Sequence, residues 1–389
     1  MSRTHFVDGH MLVLLRNGEE YFPRLIAAID AATRVIYLET YIYAADTCGY
    51  QVSQALQRAA KRGLMVNLLL DGFGSADLPE KWVDELRGAG VVVLWYRPEI
   101  ARFSLRRHRL RRLHRKLALV DEHIAFVSGI NIIDDVSGGR IMAPRLDYTV
   151  EVRGATVGKI HLVMRRLWVL VSWINFRRQL ERVRLLDAFN DTGQDKVTLV
   201  MRDNFRHRHD IEHAYLEAIA GARQEIIIAN AYFLPGLRFR HALLNAARRG
   251  VRVVLLLQGK VEYRLQHFAT RALYDELLQV GIEIHEYHAS FMHAKVAVVD
   301  GYWATVGSSN IDPFSLWLAR EANLVVCDTG FAESLRADLL HEIAHSARFI
   351  SHSVWRKHGI GMHLMMRISY AMVRFLAGVI GYGREHDHV

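Results

Sequence analysis

The apolar positions of the chain recur in the same order in its two halves. A strand-like apolar run, a helix with Ala and Leu at helical spacing, a Gly stop and a second apolar run cover residues 34–72 and again residues 225–259. Apolar runs of strand length that alternate with helices are typical of α/β units. Each half continues with a second helix (Lys81–Ala89, Ala269–Val280) and a further strand (Val91–Tyr96, Ile282–Tyr287). We therefore predict two α/β halves with largely parallel or mixed sheets, related by a pseudo-twofold axis.

The repeat also predicts how the chain is divided. The first half covers residues 1–190 and the second covers residues 191–350, whereas residues 351–389 lie outside both repeats. Between the halves we expect a long helix over Val157–Arg184 and a linker over Leu186–Asp195.

The strongest part of the repeat is a match without gaps between His114–Asn131 and His293–Asn310, which share eight of eighteen positions. Both copies contain His-x-Lys-x4-Asp, then two small residues and, one residue further on, Asn. The members are His114, Lys116, Asp121, Ser128, Gly129 and Asn131 in the first copy, and His293, Lys295, Asp300, Gly307, Ser308 and Asn310 in the second.

This pattern predicts phosphodiester chemistry. A His and a Lys two residues apart in a strand face the same side. Imidazole can act as nucleophile or as acid and base near neutral pH, and Lys and Asn side chains stabilise charge on phosphate oxygens. The small residues would leave room for the phosphate, which Ser128 and Ser308 would help to bind. If the two copies converge, His114 attacks phosphorus and His293 protonates the leaving oxygen, although the residues alone also allow the reverse assignment.

The doubled pattern resembles the HKD signature of the phospholipase D superfamily. Further stretches resemble the cardiolipin-synthesising branch of that superfamily: Asn17–Pro23, Leu68–Leu78, Arg202–Glu212, Ala229–Gly236 and Thr305–Leu316. The resemblance implies an α/β/α sandwich in each half and a reaction that needs no cofactor or metal. It also implies that each catalytic histidine is oriented by an acidic residue downstream, and Asp147 and Glu321 are the matching positions. Asp121 and Asp300 belong to the catalytic motif, with the role of holding backbone near the site.

The implied reaction transfers a phosphatidyl group from one phosphatidylglycerol to the glycerol hydroxyl of another, through a phosphohistidine. Phosphatidylethanolamine is a further candidate lipid. One alternative is a hydrolase that passes the phosphatidyl group to water. Another is a phosphodiesterase that acts on nucleic acid. We do not expect a nucleic acid partner, because no aromatic stacking platforms accompany the motifs.

Charge and two amphipathic stretches indicate a membrane surface. Lys and Arg number 50 against 41 Asp and Glu, a net charge of +9 that favours anionic partners. The Arg-rich run Arg102–Leu113 precedes the first motif, and Leu162–Phe176 and His363–Tyr382 combine apolar residues with Arg. Leu162–Phe176 and His363–Tyr382 are each predicted to be an interfacial helix, with packing against the core as the alternative.

No apolar stretch reaches the ~20 residues needed to span a bilayer. We therefore expect a peripheral protein on the cytoplasmic side of a bacterial inner membrane. A monomer would suffice, because the chain carries both motifs. Cys48 and Cys327 predict neither a disulfide nor a zinc site, and His209 and His213 are interpreted as surface residues.

Overall fold

The computed structural model describes residues 4–98, 111–134, 144–174, 196–203, 207–312, 319–357 and 359–381. The strands of the first half are β1 (Thr4–Val7), β2 (His10–Arg16), β3 (Val35–Thr40), β4 (Met65–Asp71), β5 (Val92–Tyr96), β6 (Arg112–Leu113), β7 (Lys116–Val120), β8 (Ile124–Ser128) and β9 (Tyr148–Arg153). Its helices are α1 (Asn17–Ala31), α2 (Thr47–Lys61), α3 (Glu80–Gly88) and α4 (Thr156–Ile174).

The second half repeats this order. Its strands are β10 (Val197–Arg202), β11 (Glu225–Asn230), β12 (Arg252–Gln258), β13 (Glu283–Tyr287), β14 (Lys295–Val299), β15 (Trp303–Gly307), β16 (Ala319–Cys327) and β17 (Ala347–Phe349). Its helices are α5 (Asp210–Gly221), α6 (Leu237–Arg248), α7 (Arg264–Arg271), α8 (Tyr274–Gln279), α9 (Thr329–Ser346), α10 (His352–Trp355) and α11 (Ile360–Gly381).

Each half builds one mixed sheet, and seven strands follow the same order in both sheets, with β1 added at one edge of the first and β17 at the opposite edge of the second. The first sheet runs β1-β2-β9-β8-β7-β3-β4-β5, and the second runs β10-β16-β15-β14-β11-β12-β13-β17. Strands β3, β4 and β5 are parallel to one another, as are β11, β12 and β13. The motif strands β7 and β14 run antiparallel to β3 and β11. The prediction of two related α/β halves with mixed sheets is confirmed.

The repeated helices end as the sequence predicts. Gly63 and Gly250 follow α2 and α6 with φ of +87° and +89°, a left-handed conformation that glycine adopts without steric cost. The residue before each glycine is an arginine, and the Nη2 atoms of Arg62 and Arg249 donate to carbonyls at the ends of α1 and α5. The two basic side chains therefore satisfy carbonyl groups that a helix end leaves free.

A core shared by the halves holds them together. Leu14, Leu117 and Val150 of the first sheet pack in one buried cluster with Ile227, Val296 and Leu324 of the second. Helices α4 and α9 close this cluster with residues such as Met164 and Leu335. Separate clusters bury α1, α2 and α3 against the first sheet and α5, α6, α7 and α8 against the second.

Several predicted boundaries change. The helix predicted over Ala269–Val280 is divided into α7 and α8, because Leu273 donates to Thr270 in a tighter turn between them. The described part of the helix predicted over Val157–Arg184 is α4, which starts at Thr156. The rest of that helix and the linker Leu186–Asp195 lie outside the described residues, as does most of Arg102–Leu113.

In both amphipathic stretches one part of the helix surface packs against the core and another part is exposed. Met366 and Val373 of α11 are buried against the second half, whereas Ile360, Leu364 and Phe375 are exposed. Similarly, α4 buries Met164 and Leu167 and exposes Trp173 and Ile174. Among the described residues, no helix is both long and apolar enough to pass through a bilayer.

The motif aspartates hold the start of a neighbouring strand. Asp121 and Asp300 follow β7 and β14 with φ of +51° and +52°. Their carboxylates accept the backbone N–H groups of residues 33–35 and 223–225, where β3 and β11 begin. Burial would raise the pKa of both carboxyls, but these hydrogen bonds outweigh it, so the pKa of each is lowered.

We predict that Asp121→Asn and Asp300→Asn each lower the free energy of unfolding by about 1–3 kcal/mol, because a charged acceptor of several backbone N–H groups is lost. Asn tolerates the left-handed backbone, so the substitution tests the carboxylate rather than the turn. Because folding lowers the pKa, the carboxylate stabilises at neutral pH and ceases to do so as the pH falls through the lowered pKa.

Urea unfolding at neutral and acidic pH measures this effect, and the difference from the wild type should shrink at acidic pH. The exposed Asp77 provides the control variant Asp77→Asn, which should unfold like the wild type. Equal stability of Asp121→Asn and Asp77→Asn would contradict the assigned role.

Candidate active site

Each motif histidine is held by a short parallel pairing with the other half of the molecule. Strand β6 pairs with the start of β16, so that Leu113 lies opposite Arg320, and His114 N donates to the Arg320 carbonyl at 3.0 Å. In the related place Leu146 lies opposite Met292, and His293 N donates to the Leu146 carbonyl at 2.8 Å. Each pairing therefore brings a histidine beside the acidic residue of the other half.

The histidine–carboxylate pairs cross between the halves. His114 Nδ1 lies 2.9 Å from Glu321 Oε1, and His293 Nδ1 lies 2.6 Å from Asp147 Oδ2. Glu321 lies downstream of His114, but Asp147 precedes His293 in the chain, so the expectation of a downstream partner is wrong for His293. The contacts involve the two predicted acidic residues, each with the histidine of the other half.

Both motif lysines are buried beside their histidines. Lys116 Nζ donates to the His114 carbonyl at 2.6 Å and lies 5.6 Å from the centroid of the Tyr41 ring, which packs edge-on against His114. Lys295 Nζ contacts the His293 carbonyl and lies 3.6 Å from Asp147 Oδ2. The prediction that His and Lys share one side is confirmed in both copies.

The charges of the four groups influence one another. Burial lowers the pKa of Lys116 to about 7 and that of Lys295 to about 8, although nearby carboxylates act in the opposite direction. Burial also lowers the pKa of His114 and His293, and each of the two lysines adds to that lowering in both histidines. The two motifs thus share one electrostatic environment.

Ionised carboxylates face neutral imidazoles in this site. Burial would raise the pKa of Asp147 and Glu321, but the adjacent histidines and lysines lower it overall. A carboxylate that accepts Nδ1–H leaves the Nε2 lone pair of a neutral imidazole for another partner. Such an imidazole can attack phosphorus, and the buried lysines can stabilise a phosphate anion.

One glycine and one serine of the motifs support the two carboxylates. A Cβ atom on Gly129 would lie 2.2 Å from Asp147 Oδ1, so this position makes room for the carboxylate. Ser308 Oγ donates to Glu321 Oε2 at 2.5 Å, and Ser128 Oγ lies 2.5 Å from Thr149 Oγ1. Both hydroxyls already have protein partners, and the binding of phosphate by the two serines stays a prediction.

The remaining motif residues fall into two groups. Asn131 and Asn310 are buried. Asn131 Oδ1 accepts the N–H of Ile42 at 3.2 Å, so the amide NH₂ of Asn131 does not take part in that hydrogen bond.

The motif aspartates lie far from the motif lysines. Asp121 is separated from Lys116 by the length of β7, roughly 17 Å at 3.3 Å per residue, and Asp300 is separated from Lys295 by the length of β14, which has the same number of residues. Asp121 and Asp300 therefore do not belong with the catalytic residues. They hold the sheet at the ends of β7 and β14 that lie farthest from the histidines.

The structure adds residues that sequence reasoning missed. Tyr41 was evident only as part of the repeat, yet its ring centroid lies 4.9 Å from that of His114. Arg115 forms a buried pair with Glu39, with its Nε 2.5 Å from Glu39 Oε2, on the opposite side of the strand from His114 and Lys116. No group of three or more metal-ligating side chains occurs in the described parts of the chain.

Comparison with known proteins shows the family. A family model described as "Cardiolipin synthase, PLD-like domain" matches residues 25–136 and 215–343. Cardiolipin synthase B of Escherichia coli strain K12 is 38% identical over 97% of this chain and 91% of that protein. The chain belongs to the PLD-like family of cardiolipin synthases.

Two further comparisons agree. A cardiolipin synthase of Geobacillus kaustophilus strain HTA426 is 31% identical over 86% of this chain and 66% of that protein. The crystal structure of a phosphatidylserine synthase from Haemophilus influenzae Rd KW20 superposes with a TM-score of 0.68, at 12% identity, over 95% of this chain and 94% of that one. The predicted superfamily and fold are confirmed, and the prediction of a PLD-like phosphatidyltransferase is confirmed at the level of enzyme class.

We predict that Glu321→Gln changes the ring environment of His114 and that Asp147→Asn changes that of His293, because each carboxylate accepts from the histidine of the other half. Nuclear magnetic resonance of protein labelled with ¹⁵N in the histidine rings measures this, with the two resonance sets assigned from His→Ala variants. Loss of the orienting carboxylate should also lower kcat by roughly 10²–10⁴-fold.

Glu217→Gln, at an exposed position of α5, is the matched control and should leave both histidines unchanged. Perturbation of His293 rather than His114 by Glu321→Gln would rule out the crossed arrangement.

Proposed function

We propose that this protein is a cardiolipin synthase that transfers a phosphatidyl group from one phosphatidylglycerol to the glycerol hydroxyl of a second, with release of glycerol. The observation that carries the proposal is the pair of crossed histidine–carboxylate contacts beside two buried lysines. Two complete acid–base sets in one environment suit a two-step displacement at phosphorus. The similarity to cardiolipin synthases over nearly the whole chain supports the choice of substrate.

In the first step His114 attacks phosphorus through Nε2, while its Nδ1–H remains bonded to Glu321. The N–P bond forms as the P–O bond to glycerol breaks, and His293 gives a proton to the departing oxygen. Both imidazoles are neutral in the empty site. The negative charge of a bound phosphodiester raises the pKa of nearby imidazoles, so His293 takes up its proton as the substrate binds.

In the second step the neutral His293 removes the proton from a glycerol hydroxyl of the second phosphatidylglycerol. The resulting oxygen attacks phosphorus, the N–P bond breaks and His114 returns to its neutral form. Asp147 accepts from His293 Nδ1 and stabilises the imidazolium that forms. Lys116 and Lys295 stabilise charge on the non-bridging oxygens in both steps.

We further propose that the protein works on the cytoplasmic side of a bacterial inner membrane, as a peripheral monomer. The exposed apolar side chains of α11, among them Leu364, Ile368 and Phe375, support contact with lipid. The exposed Arg367 in the same helix fits an anionic surface. Both cysteines are free, as a reducing compartment would leave them.

We also propose the division of the chain into residues 1–190, 191–350 and 351–389. The described strands support it, because each sheet is built within one half apart from β6, which pairs with β16. Helix α11 then forms most of the third segment.

The first test is synthesis of cardiolipin by purified protein from labelled phosphatidylglycerol in mixed micelles. We predict that His114→Ala and His293→Ala each reduce cardiolipin formation by at least about 10³-fold, because each removes a group that forms or breaks a bond. Lipid chromatography identifies the product, and thermal unfolding shows whether the variants are folded.

His241→Ala, at an exposed position of α6, should retain full activity. Phosphatidic acid as the only product of the wild type would indicate a hydrolase, and the absence of turnover would lead to a test of nucleic acid as substrate. Strong activity in either of the first two variants would remove that histidine from the mechanism.

We predict that kcat/KM falls as the pH rises through 7 to 8, because the pKa values of Lys116 and Lys295 are lowered to about 7 and about 8 and the free enzyme loses both charges in that interval. The acidic limb should lie below pH 6.5, because the pKa values of His114 and His293 are lowered from that value. Initial rates in mixed micelles between about pH 5 and 9 measure the profile.

Lys61→Met removes an exposed lysine of α2 and serves as the control for surface charge, with an unchanged profile expected. An increase of kcat/KM between pH 7 and 9 would show that the charged lysines are not required.

A further inference from the structure

A pocket with polar and apolar walls lies in the second half, next to the backbone that carries His293. The space over it, open solvent included, is about 380 Å³, and its lining includes Tyr232, Gln258, Lys260, Glu262 and Thr270 together with Leu257. None of these residues belongs to the histidine, lysine and carboxylate set described above.

The pocket and the catalytic histidine share their supporting backbone. Gln258 ends strand β12, and its Oε1 accepts the N–H of Met292, the residue before His293, at 3.2 Å. Ala231, which also lines the pocket, donates its N–H to the carbonyl of Ala294, the residue after His293. A group held in this pocket therefore lies on the His293 side of the site.

Gln258 offers a hydrogen bond that no protein group accepts. Its Nε2 atom is buried and has no partner among the described residues. The related residue of the first half is Asp71, which ends β4 and accepts the N–H groups of Leu113, Phe73 and Gly74. Both side chains brace the residue before a motif histidine, but only the glutamine retains an amide NH₂, and a buried donor of this kind calls for an acceptor.

The charges of the pocket disfavour a cationic ligand. The Glu262 carboxylate accepts the Tyr232 hydroxyl at 2.6 Å and pairs with Arg145 at 3.5 Å. Lys260 adds a positive charge, and its ammonium donates to the Ala289 carbonyl. A cationic headgroup would therefore meet no uncompensated carboxylate, whereas hydroxyl groups can both accept from Gln258 and donate to Glu262.

We infer that this pocket binds the glycerol headgroup of phosphatidylglycerol, a neutral vicinal diol, on the His293 side of the phosphate. This inference rests on the proposed function. In an in-line displacement the departing glycerol and the attacking glycerol hydroxyl occupy the same side of phosphorus, opposite the nucleophilic His114. One pocket beside His293 then serves both steps of the reaction and selects a diol over water.

The test separates recognition of the diol from chemistry at phosphorus. Phosphatidyl-p-nitrophenol in mixed micelles supplies a donor whose leaving group carries no diol, and p-nitrophenol release reports attack by the histidine. Equal concentrations of glycerol and 1-propanol, or of glycerol and ethanolamine, then compete as acceptors. Lipid chromatography measures the resulting phosphatidyl alcohols.

The wild type should use glycerol at least about tenfold more than 1-propanol or ethanolamine, the discrimination expected when a site hydrogen-bonds a substrate hydroxyl. Gln258→Glu keeps an acceptor for the Met292 N–H but removes the amide donor. It should lower the ratio of glycerol to 1-propanol products about tenfold, and this ratio does not depend on how fast the histidine attacks phosphorus. Gln51→Glu, at an exposed position of α2, should leave both this ratio and p-nitrophenol release unchanged.

Two results would overturn the inference while leaving the proposed function intact. One is equal use of glycerol and 1-propanol by the wild type, or a preference for ethanolamine. The other is an unchanged product ratio in Gln258→Glu. By contrast, absence of both p-nitrophenol release and cardiolipin formation in the wild type would refute the proposed function, and the inference with it.

Discussion

The candidate active site depends on the register of two short parallel backbone pairings between the halves. His114 N–H bonds to the carbonyl before Glu321, and His293 N–H bonds to the carbonyl before Asp147. A shift of one residue in either pairing would turn the carboxylate away from its histidine, because neighbouring side chains of a strand face opposite sides. The core shared by both sheets holds this register, so the catalytic pairs exist only when the halves are packed together.

Burial gives these groups their chemical character. Two lysines and two carboxylates lie almost without exposure around a pair of histidines, and loss of solvation lowers the pKa of both lysines and both histidines. The opposite charges compensate one another, which makes the burial of four ionisable groups tolerable. A phosphodiester anion entering the site adds negative charge beside the lysines and is stabilised by groups already in position, which is how preorganised charges lower a barrier.

The twofold scaffold carries two chemically different sides. Tyr41 packs against His114, whereas the pocket with Gln258 lies next to the backbone that carries His293. Gly129 makes room for Asp147, the partner of His293, and Ser308 donates to Glu321, the partner of His114. These differences give otherwise equivalent histidines separate surroundings, which suits the proposed reaction with one nucleophile and one proton carrier.

The sequence by itself determined the repeat, the α/β halves and the mixed sheets, because periodicity and doubled spacing are local properties of the chain. It also predicted His114, Lys116, His293 and Lys295 from the doubled motif, and Asp147 and Glu321 from the family resemblance. The pairing of histidines with carboxylates, the support of Asp147 and Glu321 by Gly129 and Ser308, and the distance of Asp121 and Asp300 from the site were decided by tertiary structure. Contacts between residues some 150 to 200 positions apart depend on which strands meet across the two halves. A spacing pattern along one chain does not encode that register, because the register arises only when both sheets pack on one core.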